Sequence, residues 1–472
     1  MLQVAVIDDG INAGKLLHPD RLVKDFIVDG CQSIVRERKH NDPFLTLHGT
    51  TCARIIELYQ PSVEFISLCI FDQKDLTTDC SRLVMALTWC KRMQIPLIHM
   101  SVGTRKFDDY DQVRNIIAGM IANGQVMVAA GSNAGDYTMP AGMGGILGVA
   151  ADRFMTGQAF SYKAFCKGIQ VEASAIHKLI NKDGTFEITT LANSYAAPVL
   201  TAAVCPILKD IRKEERCFLK VFQALFPEIR YSAFRPDFIK NAVVLNLSKT
   251  RLEKEHFFFS GMEIMIEDME TDIVIRDGRK KCFVFLPGQD ETKNMEILSF
   301  LEKEQNRFIG ILYCGRARRE FLERIKDCIL WCEQDCGIYK QPEQTEIVEQ
   351  DCPIVLVKAK DWSGGDLAWK LEKKFGEQGY QCIAVSTHRY SYLYGFEYIP
   401  DEIGIEKMMC YLKTMYRPDI VIVWECEMGD MSQERDVYCI RVENNYRGFG
   451  KSKYFIADEV EAVYRDIVEY FS

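Results

Sequence analysis

The sequence predicts an α/β protein: a mostly parallel sheet with helices on both faces over roughly the first 200 residues, then additional α/β domains. Three observations predict it. Short, continuous apolar runs such as residues 4–7 and 126–130 are bounded by turn residues or polar residues, as strands buried on both faces are. They alternate with helical patterns of roughly 10–15 residues, which implies βαβ units and parallel pairing. At 472 residues, the chain exceeds one ordinary domain.

The composition narrows the class. A hydrophobic fraction of 48% and a charged fraction of 26% are those of a globular protein. The net charge of −9, with no long Lys/Arg run, argues against a nucleic-acid partner. The 18 cysteines are scattered, and several, such as Cys69, Cys205, Cys382 and Cys426, sit inside apolar stretches. That is the pattern of reduced, buried thiols in a cytosolic protein. The chain starts M-L-Q-V-A-V-I-D, already a strand pattern without the regions of a signal peptide. The one long apolar run, 188–208, holds Asn193, Ser194, Pro198 and Pro206 and does not read as a membrane span. A cytoplasmic location away from membranes is expected.

In chain order, the strand at 4–7 ends in Asp8-Asp9-Gly10. Open α/β sheets place their chemistry at such strand ends, although D-D-G is equally good turn chemistry. At 47–56 (L-H-G-T-T-C-A-R-I-I) small residues open a helix, and His48 precedes a glycine that lets another backbone come close. A strand at 63–71, a helix at 81–93, a strand at 95–102 running into Gly103, a helix at 110–122 and a strand at 125–130 follow. Then come G-S-N-A-G (131–135), M-P-A (139–141) and a strand at 146–150. Residues 191–203 (L-A-N-S-Y-A-A-P-V-L-T-A-A) read as a buried helix whose polar start carries Ser194, either as a cap or presented to a cleft.

These stretches together resemble the subtilisin-like serine peptidases, the subtilases. V-A-V-I-D-D-G-I is similar to the family's aspartate block, H-G-T-T-C-A-R-I-I to its histidine block and N-S-Y-A-A-P-V to its serine block. H-M-S-V-G (99–103) resembles the strand lining the substrate cleft, V-A-A-G-S-N-A-G (128–135) the oxyanion-asparagine block, and M-P-A and G-V-A-A-D (148–152) the segments that follow. The resemblance implies Ser194 as nucleophile, His48 as general base and then acid, and Asp8 as the orienting carboxylate. It implies substrate binding along Ser101, Val102 and Gly103. The oxyanion donor it implies is Asn133, if one residue is inserted after Gly131, or Ser132 if none is. Asp9 departs from the family's usual Ser or Thr, and like-charge repulsion from a second carboxylate there is expected to act on its neighbour. No propeptide is expected before Val4, and no calcium site carries over to named residues. No cofactor or metal is assigned.

Beyond 205, Pro206 is expected to end the serine helix, with an amphipathic helix at 207–226 closed by Pro227 and a linker near 230–239. The expected domains are a peptidase unit at 1–229, a middle α/β domain at 240–345 and a C-terminal α/β domain at 350–472. The middle domain has strands at 242–247, 272–275, 282–286 and 308–313 and helices at 293–304 and 317–331. The pattern would align Cys328, Cys332 and Cys336 on one helix face, as core or reduced surface thiols, because zinc knuckle spacing is missing. The C-terminal domain opens with a strand at 353–357, a loop at 358–366 and a helix at 367–378. Gly365-Asp366 stands where a phosphate-binding loop has Lys and Ser/Thr, so the loop is a degenerate relative at best. The aromatic run R-Y-S-Y-L-Y-G-F-E-Y (389–398) is either an exposed peptide-binding loop or a loop packed onto its own sheet.

The function expected is a serine endopeptidase acting on a specific peptide, such as the leader of a modified precursor, with a peptide-modifying enzyme as a possible partner. The competing expectation is a weak or inactive subtilase-like scaffold that holds a peptide for such an enzyme.

Overall fold

The structure is a computed structural model that describes residues 1–30, 34–39, 46–72, 75–163, 167–264, 281–340, 352–359, 362–400, 402–425, 437–442, 453–455 and 460–471. The chain packs as two compact units, one of Met1–Arg105, Asp111–Leu247 and Glu263–Gly337, the other of Lys106–Tyr110, Ser248–Met262 and Ile338–Ser472. It is a mixed α/β fold with large, mostly parallel sheets, as the alternating pattern predicts.

The first unit is built on nine strands: β1 (Leu2–Asp8), β2 (Leu22–Asp29), β3 (Ile34–Glu37), β4 (Val63–Cys69), β5 (Leu97–Met100), β6 (Val126–Ala130), β7 (Leu147–Ala151), β8 (Phe160–Tyr162) and β9 (Val171–Ala173). Their order is β3-β2-β4-β1-β5-β6-β7-β9-β8, with every pair parallel except the two edges, β2–β3 and β8–β9. Val4, Ala5, Val6 and Ile7 are buried, which accounts for the unbroken apolar run. The helices are α1 (His48–Tyr59), α2 (Cys80–Arg92), α3 (Tyr110–Ala122), α4 (Asn193–Asp210) and α5 (Phe218–Leu225). A hairpin of β10 (Lys178–Ile180) and β11 (Phe186–Ile188) precedes α4. The sheet grows outward in opposite directions from β1 and β5, so the crevice beyond their C-terminal ends is a topological switch point. Asp8 ends β1, and Ser101 follows β5.

Two expectations fail in this stretch. Pro206 does not end the serine helix, since α4 runs through it to Asp210 and keeps Val204, Cys205 and Leu208 buried. The expected linker is packed: Tyr231, Phe234, Phe238 and Ile239 are buried, the Tyr231 hydroxyl accepts the Gly145 N–H at 2.6 Å, and Arg230 pairs with Asp335 at 2.9 Å.

The same unit contains β12 (Asn241–Asn246), β14 (Lys281–Leu286), α6 (Glu291–Glu304), β15 (Phe308–Tyr313), α7 (Arg319–Arg324) and β16 (Ile329–Cys332), while β13 (Ser260–Ile264) starts in the second unit and ends in the first. β12, β14, β15 and β16 are parallel in that order. The helix expected over 317–331 is therefore a short helix and a buried strand, and Cys328, Cys332 and Cys336 share no helix face. The strand expected at 272–275 lies outside the described residues.

The second unit holds β17 (Ile354–Lys358), α8 (Trp362–Glu377), β18 (Cys382–Ser386), β19 (Glu397–Tyr398), α9 (Ile405–Tyr416), β20 (Ile420–Glu425), β21 (Val437–Val442), β22 (Lys453–Phe455) and α10 (Val460–Phe471). All six strands are parallel, in the order β19-β18-β20-β17-β21-β22. α8 starts at Trp362, five residues earlier than expected, so Gly364, Gly365 and Asp366 are helical; Lys360 and Asp361 lie outside the described residues. The Trp424 ring fills the space over both glycines, where an added Cβ would meet it at 2.9 and 2.7 Å. In the aromatic run, Tyr390, Tyr392, Leu393 and Phe396 are buried, so it packs onto its own unit.

Candidate active site

Asp8 is 1% exposed at the last position of β1, opposite Cys69 of β4. Both its carboxylate oxygens lie 2.9 Å from His48 Nδ1, and Oδ1 also accepts the Asp9 N–H at 2.8 Å. A carboxylate on Nδ1 fixes the proton there and leaves Nε2 as the basic nitrogen of the neutral ring. Burial opposes a charge on His48, but the hydrogen bond to Asp8 and the charges of Asp8 and Asp9 outweigh it and raise its pKa above the ordinary value. The imidazole keeps about a third of its surface, 32%, open to solvent.

His48 is the first residue of α1, and Asp9 holds that helix end. Its carboxylate accepts the His48 N–H at 3.1 Å, the Gly49 N–H at 2.7 Å and the Thr46 hydroxyl proton. The two amides are orphan donors of the first helical turn, which a negative charge satisfies well. Burial, and then the Asp8 charge, push the Asp9 carboxyl above the usual range, while the two amides pull it back. Gly49 is required here, because a Cβ would sit 2.8 Å from both Asp8 Cβ and Gly10 O. The close backbone approach expected of this glycine is thus present.

Ser194 is the second residue of α4, after Ala192 as the capping position, and is half-buried. α4 lies against α1, and the ring of Tyr195 stacks obliquely on His48, with centroids 5.4 Å apart. Among the described residues, the Ser194 hydroxyl makes no hydrogen bond, and its carbonyl is held by Ser101 Oγ at 3.2 Å and Cys52 Sγ at 3.4 Å. Ser101, Val102 and Gly103 run on beyond the ladder of β5, whose register ends at Met100 on both sides. Ser101 and Val102 are half-buried and Gly103 exposed. Gly103 leaves no room for a Cβ, because Met139 O would stand 2.7 Å away.

In the oxyanion block, Asn133 Oδ1 accepts the Asn193 N–H at 2.8 Å, which anchors it to the start of α4. Its amide nitrogen makes no hydrogen bond among the described residues. Ser132 Oγ instead accepts the Ala134 N–H within its own turn, at 3.2 Å.

Four residues that sequence reasoning did not single out support this geometry. Asn193 accepts the Ala151 N–H at 2.8 Å and donates to Gly131 O at 3.1 Å and Ser132 O at 2.9 Å. His177 directs Nε2 to Tyr195 O (3.0 Å) and Ser174 O (3.2 Å) and takes the Tyr59 hydroxyl proton on Nδ1 (2.9 Å). Burial lowers its pKa, in keeping with a neutral ring. His99 and Cys52 stand behind Ser101. The signal for Cys52 was its place four residues after His48, on the same helix face.

Asp8, His48 and Cys52 offer ligand atoms within 4.8 Å of one another, the one such trio among the described residues. A metal there would need the thiolate. Burial, and then the Asp8 charge, raise the Cys52 thiol well above its ordinary pKa. All fifteen described cysteines are free thiols, and all but Cys80, Cys217 and Cys410 are buried. No described helix is long and apolar enough to cross a membrane.

No family model and no curated protein matches this sequence. Solved structures similar to part of this chain include the epidermin leader peptide processing serine protease of Staphylococcus aureus, at 14% identity over 44% of this chain, with a TM-score of 0.34. That match spans 64% of the other chain, less than two thirds of its length. A cold-adapted subtilisin-like serine proteinase matches at 18% identity over 47% of this chain and 79% of its own, with a TM-score of 0.36. A lanthipeptide protease matches at 13% identity, over 48% and 75%, with a TM-score of 0.34.

Proposed function

We propose that the chain is a serine endopeptidase of the subtilisin type, residues 1–229 forming its peptidase part, and that it cleaves a specific peptide such as the leader of a modified precursor. The observation that carries this reading is the buried Asp8 carboxylate on His48 Nδ1 next to the first turn of α4, which bears Ser194. In the proposed cycle, His48 Nε2 takes the Ser194 hydroxyl proton as Oγ attacks the scissile carbonyl. His48 returns that proton to the departing amine as the C–N bond breaks and an acyl ester remains on Ser194. Water then attacks the ester, giving a proton to His48, which passes it to Ser194 Oγ as the C–Oγ bond breaks and the acid product leaves. Asp8 keeps the ring oriented and stabilises its protonated form. Asn133, with its oxygen tied to the Asn193 N–H and its amide hydrogens unspent, is the better oxyanion donor of the two candidates. Ser101–Gly103 would pair with the substrate as an added extended strand.

A second reading, a peptide-holding scaffold without turnover, is favoured by the Ser194 hydroxyl, which makes no bond to His48 among the described residues. Catalytic hydrogen bonds are often long before substrate arrives. Incubation with a mixture of precursor-like peptides, read by mass spectrometry, separates the two. The peptidase reading expects cleavage products that disappear in Ser194→Ala, whereas binding without cleavage by the parent protein supports the scaffold.

A further inference from the structure

The Ser194 carbonyl has lost its helical partner. An α-helix would pair it with the N–H four residues on, and that residue is Pro198, which has none. Ser101 Oγ (3.2 Å) and Cys52 Sγ (3.4 Å) approach it instead. Behind Ser101 stands His99, fully buried, with Nε2 3.0 Å from Ser101 Oγ and Nδ1 2.9 Å from Thr201 Oγ1. Thr201 lies two turns along α4 from Ser194, so the path Thr201–His99–Ser101–Ser194 starts and ends on the same helix.

We propose that His99 and Ser101 are positioning residues: they replace the N–H that Pro198 removes and fix the peptide of Ser194, and so set where its hydroxyl stands for His48. The inference rests on Ser194 being the nucleophile. The proton count supports it. Ser101 has one hydroxyl proton and can give it to the Ser194 carbonyl only if His99 Nε2–H donates to Ser101 Oγ. His99 Nδ1 is then bare and takes the Thr201 hydroxyl proton at 2.9 Å, in competition with the Ala197 carbonyl, which the same hydroxyl approaches at 3.1 Å. A neutral ring suits this arrangement. Burial lowers the His99 pKa to about 4, with the Asp8 charge acting to raise it and His48 to lower it. Ser101 is thereby turned inward to the helix and would meet substrate through its backbone.

The test compares the parent with His99→Leu, His99→Gln and Ser101→Ala, reading the rate of Ser194 acylation by a fluorophosphonate, kcat and KM for a cleaved peptide, and thermal melting. His99→Leu and Ser101→Ala are each expected to acylate about tenfold more slowly at unchanged KM, since small displacements of reacting groups carry large rate costs. His99→Gln, which keeps a donor toward Ser101, should return to within about threefold of the parent. The double variant should be no slower than either single one, because both act through one path. Parent-like acylation of His99→Leu and Ser101→Ala overturns the proposal. If His99→Leu does not fold, Ser101→Ala, which removes only a hydroxyl, decides alone. If the parent itself is not acylated, the peptidase reading fails, and the pair is judged by imidazole 15N shifts: Nε2 of His99 protonated supports it, Nε2 bare overturns it.

Discussion

Asp9 shows how a single side chain acts on its neighbours. Its charge raises the His48 pKa, and its oxygens close the first turn of α1. His48 must be neutral to act as base, so activity rises with pH through its pKa, with a midpoint above that of an ordinary imidazole. Asp9→Asn removes a charge that favours the imidazolium, and the midpoint of the acid limb should move to lower pH in a rate–pH profile. The same variant weakens the helix end and should cost about 1 kcal/mol in urea unfolding. Asp8, His48 and Ser194 were legible as candidates because each stands in a block whose residue types the chemistry demands. The role of Asp9 was not: a capping contact spans about 40 positions, and no local pattern announces it. The Asp9 carboxyl is itself raised, first by burial, which no local pattern in the sequence announces, and then by the Asp8 charge.

At the level of elements, the start of α4 is held by side chains from other segments. Asn193→Ala leaves the Ala151 N–H and two carbonyls of the 131–133 loop without their partner, a loss of about 1–3 kcal/mol measurable by chemical denaturation. Asn133→Ala should slow acylation by about 10²–10³ if it is the oxyanion donor, and Ser132→Ala should change it little. The opposite ranking would move the role to Ser132. The errors in reading elements have physical causes. Pro206 lies past the middle of α4, where packing of Val204, Cys205 and Leu208 outweighs the missing N–H. The run I-L-W-C at 329–332 is short and wholly apolar, and periodicity cannot tell such a run from a helix; its burial next to β15 makes it a strand.

For the whole molecule, the parallel architecture was legible because strands buried on both faces leave unbroken apolar runs in both units. The division into units was harder to read, since residues 230–239 carry turn residues yet are buried, Tyr231 through a bond to Gly145. In the second unit, Trp424 covers Gly364 and Gly365, and Asp366 is paired with Lys370 at 2.7 Å. Magnesium ATP is therefore expected to leave the melting temperature unchanged, and a concentration-dependent rise would show a bound nucleotide. The central claim is that Ser194, His48 and Asp8 act as one catalytic unit. Intact-mass analysis after treatment with a fluorophosphonate tests it most directly. The prediction is a single adduct that peptide mapping assigns to Ser194, absent in Ser194→Ala and strongly slowed in His48→Ala. Folded parent protein that gains no adduct, or an adduct that persists in Ser194→Ala, would contradict it.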